Sequence, residues 1–175
     1  MNKQYETPLI ILASARKQSD TRKFLDRILK DLDHQLIDLL DHSIAPYDYS
    51  GNYPESDEFP KIAEQIINHK KIVFATTVYW YSMSGSMKIF FDRFTDLVTI
   101  NKQQGRQLKD KTTFLIAVGA DEKMPTGFEL PFSLTSAYLD MNFIDSIYYS
   151  VNYPKSEEEL DKQIKSFKEK LKETI

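Results

Sequence analysis

The chain has 175 residues, 41% hydrophobic and 28% charged, the proportions of a soluble globular protein long enough to bury a core. A formal net charge of −3 argues against nucleic acid as the main partner, and the absence of cysteine excludes disulfides, thiolate metal sites and cysteine nucleophiles. No apolar run nears the roughly 18 residues of a membrane span. The opening MNKQYETP lacks the hydrophobic stretch of a signal peptide, so a cytoplasmic protein without a membrane span is expected.

The first element, PLIILAS (8–14), is a short, wholly apolar run of the kind that forms a parallel strand covered on both faces. Phe24, Leu25, Ile28, Leu29 and Leu32 then make one stripe of a helix over 19–32. QLIDLL (35–40) reads as a second strand, followed by a loop rich in Tyr, Pro, Asp and Ser over 41–57. Ile62, Ala63, Ile66 and Ile67 mark a second helix, and KIVFATT (71–77) a third strand. Met83, Met87, Phe90, Phe91, Phe94 and Val98 keep helical spacing, predicting one helix over 83–98. TTFLIAVG (112–119) is a fourth strand, and 128–141 a helix with Pro131 in its first turn. FIDSIYYSV (143–151) is a fifth strand, polar enough for a sheet edge. Ser156 and Glu159 form a capping box for a last helix with Leu160, Ile164, Phe167 and Leu171 on one face.

Alternating strands and helices, with no linker or repeat to divide them, predict one domain over 1–175. Its class is α/β, a doubly wound five-stranded parallel sheet with helices on both faces, and its leading topology is the flavodoxin-like order 2-1-3-4-5. In that topology the ligand site lies at the carboxyl ends of strands 1 and 3, where the winding reverses.

Both loops at that point carry suitable chemistry. LASARKQSDT (12–21) offers the hydroxyls of Ser14, Ser19 and Thr21, the charges of Arg16 and Lys17, and a helix N-terminus, the components of an anion site. It contains no glycine, so it is neither a Walker A nor a GxGxxG loop, and ATP and Rossmann dinucleotides fit poorly. Read structurally, the same residues are an N-cap at Ser19 and a surface arginine. After strand 3 come Tyr79, Trp80 and Tyr81, then a small polar turn around Ser82. As core residues the rings would simply prolong the strand; as site residues they would wall in a planar heterocycle while turn amides bond its polar edge. An anion loop facing an aromatic loop suits a mononucleotide with a large flat ring, and flavin mononucleotide has that shape.

These segments also carry a family likeness. SARKQSDT resembles the GSxRxxSxT phosphate loop of the NAD(P)H-dependent FMN reductase and quinone reductase family, a branch of the flavodoxin-like superfamily. VYWYSMSGSMKIFFDR resembles its PxYxxSxSGxLKxFxDR segment, and IDLLDHSIAPYDY its second strand and following loop. The likeness extends over residues 8–150 and departs from the family pattern at Ala15 and Val78, where relatives often have proline. It implies that Ser14, Arg16, Ser19 and Thr21 hold the FMN phosphate with the Asp20 amide. It further implies that Val78, Tyr79, Trp80, Tyr81 and Ser82 border the ring and ribityl chain, and that Gly119 approaches the ring's other edge.

The implied function is hydride transfer from NAD(P)H to FMN and on to a small-molecule acceptor: a quinone, an azo or nitro compound, or free flavin. The cofactor carries that chemistry, so no catalytic side chain is expected. An electron carrier without its own substrate and a non-catalytic descendant of the fold are the alternatives. A homodimer or homotetramer is implied, with loop 41–57 and the apolar positions of the third helix as candidate interface. His34, His42 and His69 lack metal-ligand spacing, so no metal is expected. His69, before Lys70 and Lys71, sits at a helix C-terminus that favours cations. Lys88, Asp92 and Arg93 read as intrahelical pairing and loop support. No G-x-S-x-G elbow supports a hydrolase, and the acidic residues of a receiver domain are missing.

Overall fold

The structure, a computed structural model, describes residues 5–173; residues 1–4 of the opening octapeptide and residues 174–175 lie outside it. Strands β1 (Leu9–Ala13), β2 (Gln35–Asp38), β3 (Lys71–Thr77), β4 (Thr112–Gly119) and β5 (Asn142–Ser150) form one parallel sheet in the order β2-β1-β3-β4-β5. This is the predicted doubly wound, flavodoxin-like topology, with β5 at an edge. The pleat sends alternate side chains to opposite faces. Ile10, Leu12, Val73, Ala75, Phe114 and Ile116 pack under α1 (Asp20–Leu29) and α7 (Glu157–Glu173). Leu9, Ile11, Phe74 and Leu115 pack on the other face against α2 (Phe59–Asn68), α3 (Gly85–Asp92), α4 (Phe94–Val98) and α6 (Leu130–Tyr138). Each fully buried Leu, Ile or Phe contributes roughly 1.5–3 kcal/mol.

Several boundaries differ from the sequence expectation, each for a local reason. The first helix stops at Leu29 rather than Leu32, and Asp31 (φ 62°) turns the chain left-handed before β2. The helix expected over 128–141 runs from Leu130 to Tyr138, with Pro131 in its first turn as anticipated; Asp140 (φ 55°) lies beyond its end. A short helix, α5 (Lys102–Gly105), and a 3-10 turn (Arg106–Leu108) fill a stretch without apolar periodicity. Their approach to α4 requires Gly105, because a Cβ there would lie 2.0 Å from the Leu97 carbonyl oxygen.

The single helix expected over 83–98 is two helices meeting at Arg93. Arg93 is 1% exposed and makes a two-pronged contact with Asp57, each prong 2.9 Å. Its Nε donates to Asp96 at 2.8 Å and its Nη1 to the Ala45 carbonyl at 2.9 Å. Tyr53 stacks on the guanidinium at 3.5 Å and donates its hydroxyl to Asp96 at 2.9 Å. The loop over 41–57 is thus anchored by a buried charge, so Arg93 gives the expected loop support. Lys88 and Asp92 do form the expected exposed i,i+4 pair.

Two further expectations change. Met87, Phe90 and Phe91 of α3 are core, with Phe91 against Phe74 at 4.9 Å and against Phe132 at 5.0 Å between ring centroids. They are therefore not an interface. The cation at the α2 C-terminus is Lys111, which donates to the Ile67 and His69 carbonyls at 2.6 and 2.7 Å. Burial pulls its pKa down to about 8, and the same burial keeps His69 below the usual histidine range.

Candidate active site

The loop after β1 is shaped by its own hydroxyls. Ser14 is buried and donates to the Arg16 carbonyl at 2.7 Å, folding the chain back toward α1. Ser19, extended at φ −90° and ψ 163°, caps that helix by accepting from the Arg22 amide at 3.0 Å. The amides of Asp20 and Thr21 lack a helical carbonyl one turn back, so the cap leaves two donors at the positive end of the helix dipole. Arg16 lies beside them, 3.6 Å from the Asp20 carboxylate. The Thr21 hydroxyl shares a hydrogen bond with that of Thr77 at 2.8 Å, tying the start of α1 to the end of β3. Lys17 departs from expectation. It reaches Asp38 at 3.0 Å and also contacts Asp41, lining a separate groove with Arg22 and Asp26.

The loop after β3 is a tight hairpin. The Val78 amide donates to the Val118 carbonyl at 2.8 Å, holding this segment against β4. Tyr79 and Ser82 then exchange amide-to-carbonyl bonds of 2.9 and 3.0 Å, enclosing a two-residue turn of Trp80 (φ 47°) and Tyr81 (φ 65°). Two central residues at positive φ match a type I′ turn, which favours Asn-Gly and penalises a bulky side chain. Each such residue costs about 1–3 kcal/mol of backbone strain. The turn nevertheless exposes the chain's only tryptophan at 93% and Tyr81 at 70%. Ser84 stabilises its exit by capping α3, accepting from the Thr76 hydroxyl at 3.2 Å and donating to the Ala13 carbonyl at 3.3 Å.

These loops and the end of β4 enclose a cleft of about 330 Å³. Arg16, Ser19, Asp20 and Thr21 form one wall, Val78 and Tyr79 another, and Gly119 part of the floor. Seven of the eleven residues singled out from the sequence therefore meet there. Ser14, Trp80, Tyr81 and Ser82 do not line it: Ser14 faces its own loop, Ser82 closes the hairpin, and the two rings stand at the turn tip. The cleft adds Thr77, Val118, Ala120 and Val151. Thr77, Val118 and Val151 were all legible as lying at the ends of expected strands, but only the folded sheet brings Val151, which follows β5, to this cleft.

The cleft lies where the winding reverses, between the loops that follow β1 and β3. At 27% identity the chain matches the provisionally named NAD(P)H-dependent FMN-containing oxidoreductase YwqN of Bacillus subtilis, over 69% of this chain and 71% of that protein. Its fold matches the Trp repressor binding protein from Bacillus subtilis with a TM-score of 0.72 and 20% identity, covering 97% and 99% of the two chains. It also matches general stress protein 14 from Treponema denticola, solved in complex with FMN, with a TM-score of 0.62 and 18% identity over 94% and 95%. The sequence pattern of the NADPH-dependent FMN reductases covers residues 8–156, which includes β1, the hairpin at Trp80, Gly119 and all of β5, and so this chain belongs to the NADPH-dependent FMN reductase family.

Proposed function

We propose that the cleft holds FMN and that electrons taken from NAD(P)H leave it for a small planar acceptor: a quinone, an azo or nitro compound, or free flavin. Family membership makes the chain an oxidoreductase with FMN as cofactor and NAD(P)H as co-substrate. The strained, exposed Trp80–Tyr81 turn beside a cleft with two free helix amides carries the residue assignment. The donor set suits FMN: the Asp20 and Thr21 amides and the Arg16 guanidinium for the phosphate, with the Ser19 and Thr21 hydroxyls beside them. Val78, Tyr79 and Gly119 would border the ring, and Trp80 and Tyr81 would cover what projects from the cleft. Ser14 and Ser82 would act through backbone, fixing the phosphate loop and the hairpin.

Bound FMN supplies two-electron chemistry, accepting hydride from a nicotinamide and delivering electrons to a second substrate. The chain's part is to bind, orient and shield. The α1 dipole and Arg16 would neutralise phosphate charge, and the apolar side chains of Val78 and Val118 would shield the inner wall from water. Purified protein mixed with FMN should show bound absorbance near about 450 nm, and the band should bleach within seconds of adding NADPH. No bound absorbance would refute the site. A bound flavin that stays oxidised for minutes would make the chain an electron carrier.

The same reading includes a homodimer, on a face other than α3. Leu130, Leu134 and Tyr138 repeat every four residues along α6 and are 54%, 63% and 76% exposed. Lys102, Arg106 and Lys109 surround the Tyr138 end, and Glu129 precedes the other, so antiparallel pairing of two copies opposes unlike charges. Leu134→Asp should halve the mass in solution at micromolar concentration, measured by light scattering. A wild-type monomer, or a variant of unchanged mass, removes α6 as the interface.

A further inference from the structure

Three consecutive carbonyls from the last residue of β4 onward are all engaged by β5 and the residue that follows it. The Val151 amide donates to the Gly119 carbonyl at 2.9 Å, Ser150 Oγ to that of Ala120 at 3.4 Å, and Tyr148 Oη to that of Asp121 at 2.8 Å. In a regular strand the carbonyls alternate between its two sides. Because a peptide N–H points opposite to its C=O, the amides of Ala120 and Asp121 are directed away from β5; neither has an acceptor among the described residues, and Gly119 and Ala120 line the cleft floor. Successive amides presented this way make a concave donor site.

Tyr148 reaches Asp121 only because residue 119 is glycine. A Cβ there would lie 2.7 Å from Tyr148 Oη and 3.1 Å from the Val78 Cβ. Gly119 thus opens the path by which a β5 side chain crosses above β4 to hold the next loop. Burial pushes the Tyr148 phenol pKa up, and the Asp121 carboxylate pushes it the same way, so the hydroxyl stays protonated and donates.

We infer that Tyr148 is a positioning residue for the cofactor: its hydroxyl, acting through the Asp121 carbonyl, holds the Ala120 and Asp121 amides where they donate to the electron-rich edge of the bound ring. The inference rests on the cleft being the FMN site. Donors fixed at that edge favour the more negative, reduced cofactor over the oxidised one, so they raise its potential as well as its affinity. A merely structural tyrosine would shift neither in that combination.

Tyr148→Phe removes the hydroxyl alone, and Gly119→Ala displaces it. Each should weaken FMN binding about three- to tenfold by fluorescence titration, the range for one lost polar contact. Each should lower the flavin reduction potential, and the double variant should lose no more than the worse single one. In ligand-free protein, the Val151 amide should exchange faster in Tyr148→Phe, as read by NMR. Affinity within twofold of wild type, weakened affinity at unchanged potential, or unaltered Val151 exchange would each overturn the inference. If wild-type protein binds no FMN, the proposed site fails, while the Val151 exchange still decides whether Tyr148 holds the loop.

Discussion

Arg93→Met should destabilise the protein by about 3–5 kcal/mol, the range for removing one partner of a buried ion pair. The substitution keeps most of the volume but leaves Asp57, 3% exposed at its side chain, and Asp96, 4% exposed, without their guanidinium. It also removes the cation from the Tyr53 face and the donor from the Ala45 carbonyl. Arg93→Lys restores charge without the planar fork and should recover only part of the loss. Urea denaturation measures both, and a loss below about 1 kcal/mol for Arg93→Met would show that the network contributes little.

The network also sets a pH dependence whose sign follows from Asp57. Burial alone would raise its pKa, but the Arg93 hydrogen bonds and the Ala45 amide outweigh burial and hold it below the usual carboxylate range. A depressed folded pKa stabilises above the unfolded value of 3.8, and that contribution is lost as pH falls through the folded pKa. Acid unfolding of the wild type below pH 3.8 should therefore carry this component, and Arg93→Met should lack it.

What the sequence disclosed follows from how far each interaction reaches along the chain. Apolar runs and the 19–32 stripe identify β1 and α1 because their signals are local and periodic, and Ser19 is legible as a cap for the same reason. The order of strands was legible as the leading topology for five alternating strand–helix units. Pairing and loop support were legible at Lys88, Asp92 and Arg93, but not the burial of Arg93 or the identity of its loop partners Asp57 and Ala45, which lie 36 and 48 residues away. The donors on Asp20 and Thr21 were foreseen because every helix start leaves amides unmet. Lys17 was not foreseen to turn toward β2, because Asp38 becomes its neighbour only when the sheet forms. The Ala120 and Asp121 amides depend on a loop geometry set by β5, and no local residue pattern encodes it.

Replacing Trp80 and Tyr81 together with Asn-Gly should stabilise the protein while impairing it. Both positions have positive φ, where Asn and Gly sit with little strain and an aromatic residue does not. The rings are 93% and 70% exposed, so removing them sacrifices little buried area. Relief of strain then dominates, and the unfolding free energy should rise by about 1–3 kcal/mol. FMN affinity should move the opposite way, by roughly ten- to a hundredfold, since burying one such ring against a ligand is worth about 1.5–3 kcal/mol. The pair of measurements separates two explanations for the turn. If the aromatics serve only the fold, the variant loses stability and binds FMN as well as its folding allows. If they serve the cofactor, stability and affinity part in sign, as expected where a strained turn is retained for a ligand at the expense of the empty protein. A variant that gained stability and still bound FMN within twofold of wild type would show that Tyr79 and the cleft walls suffice, and would leave the strain at Trp80 without a role in binding.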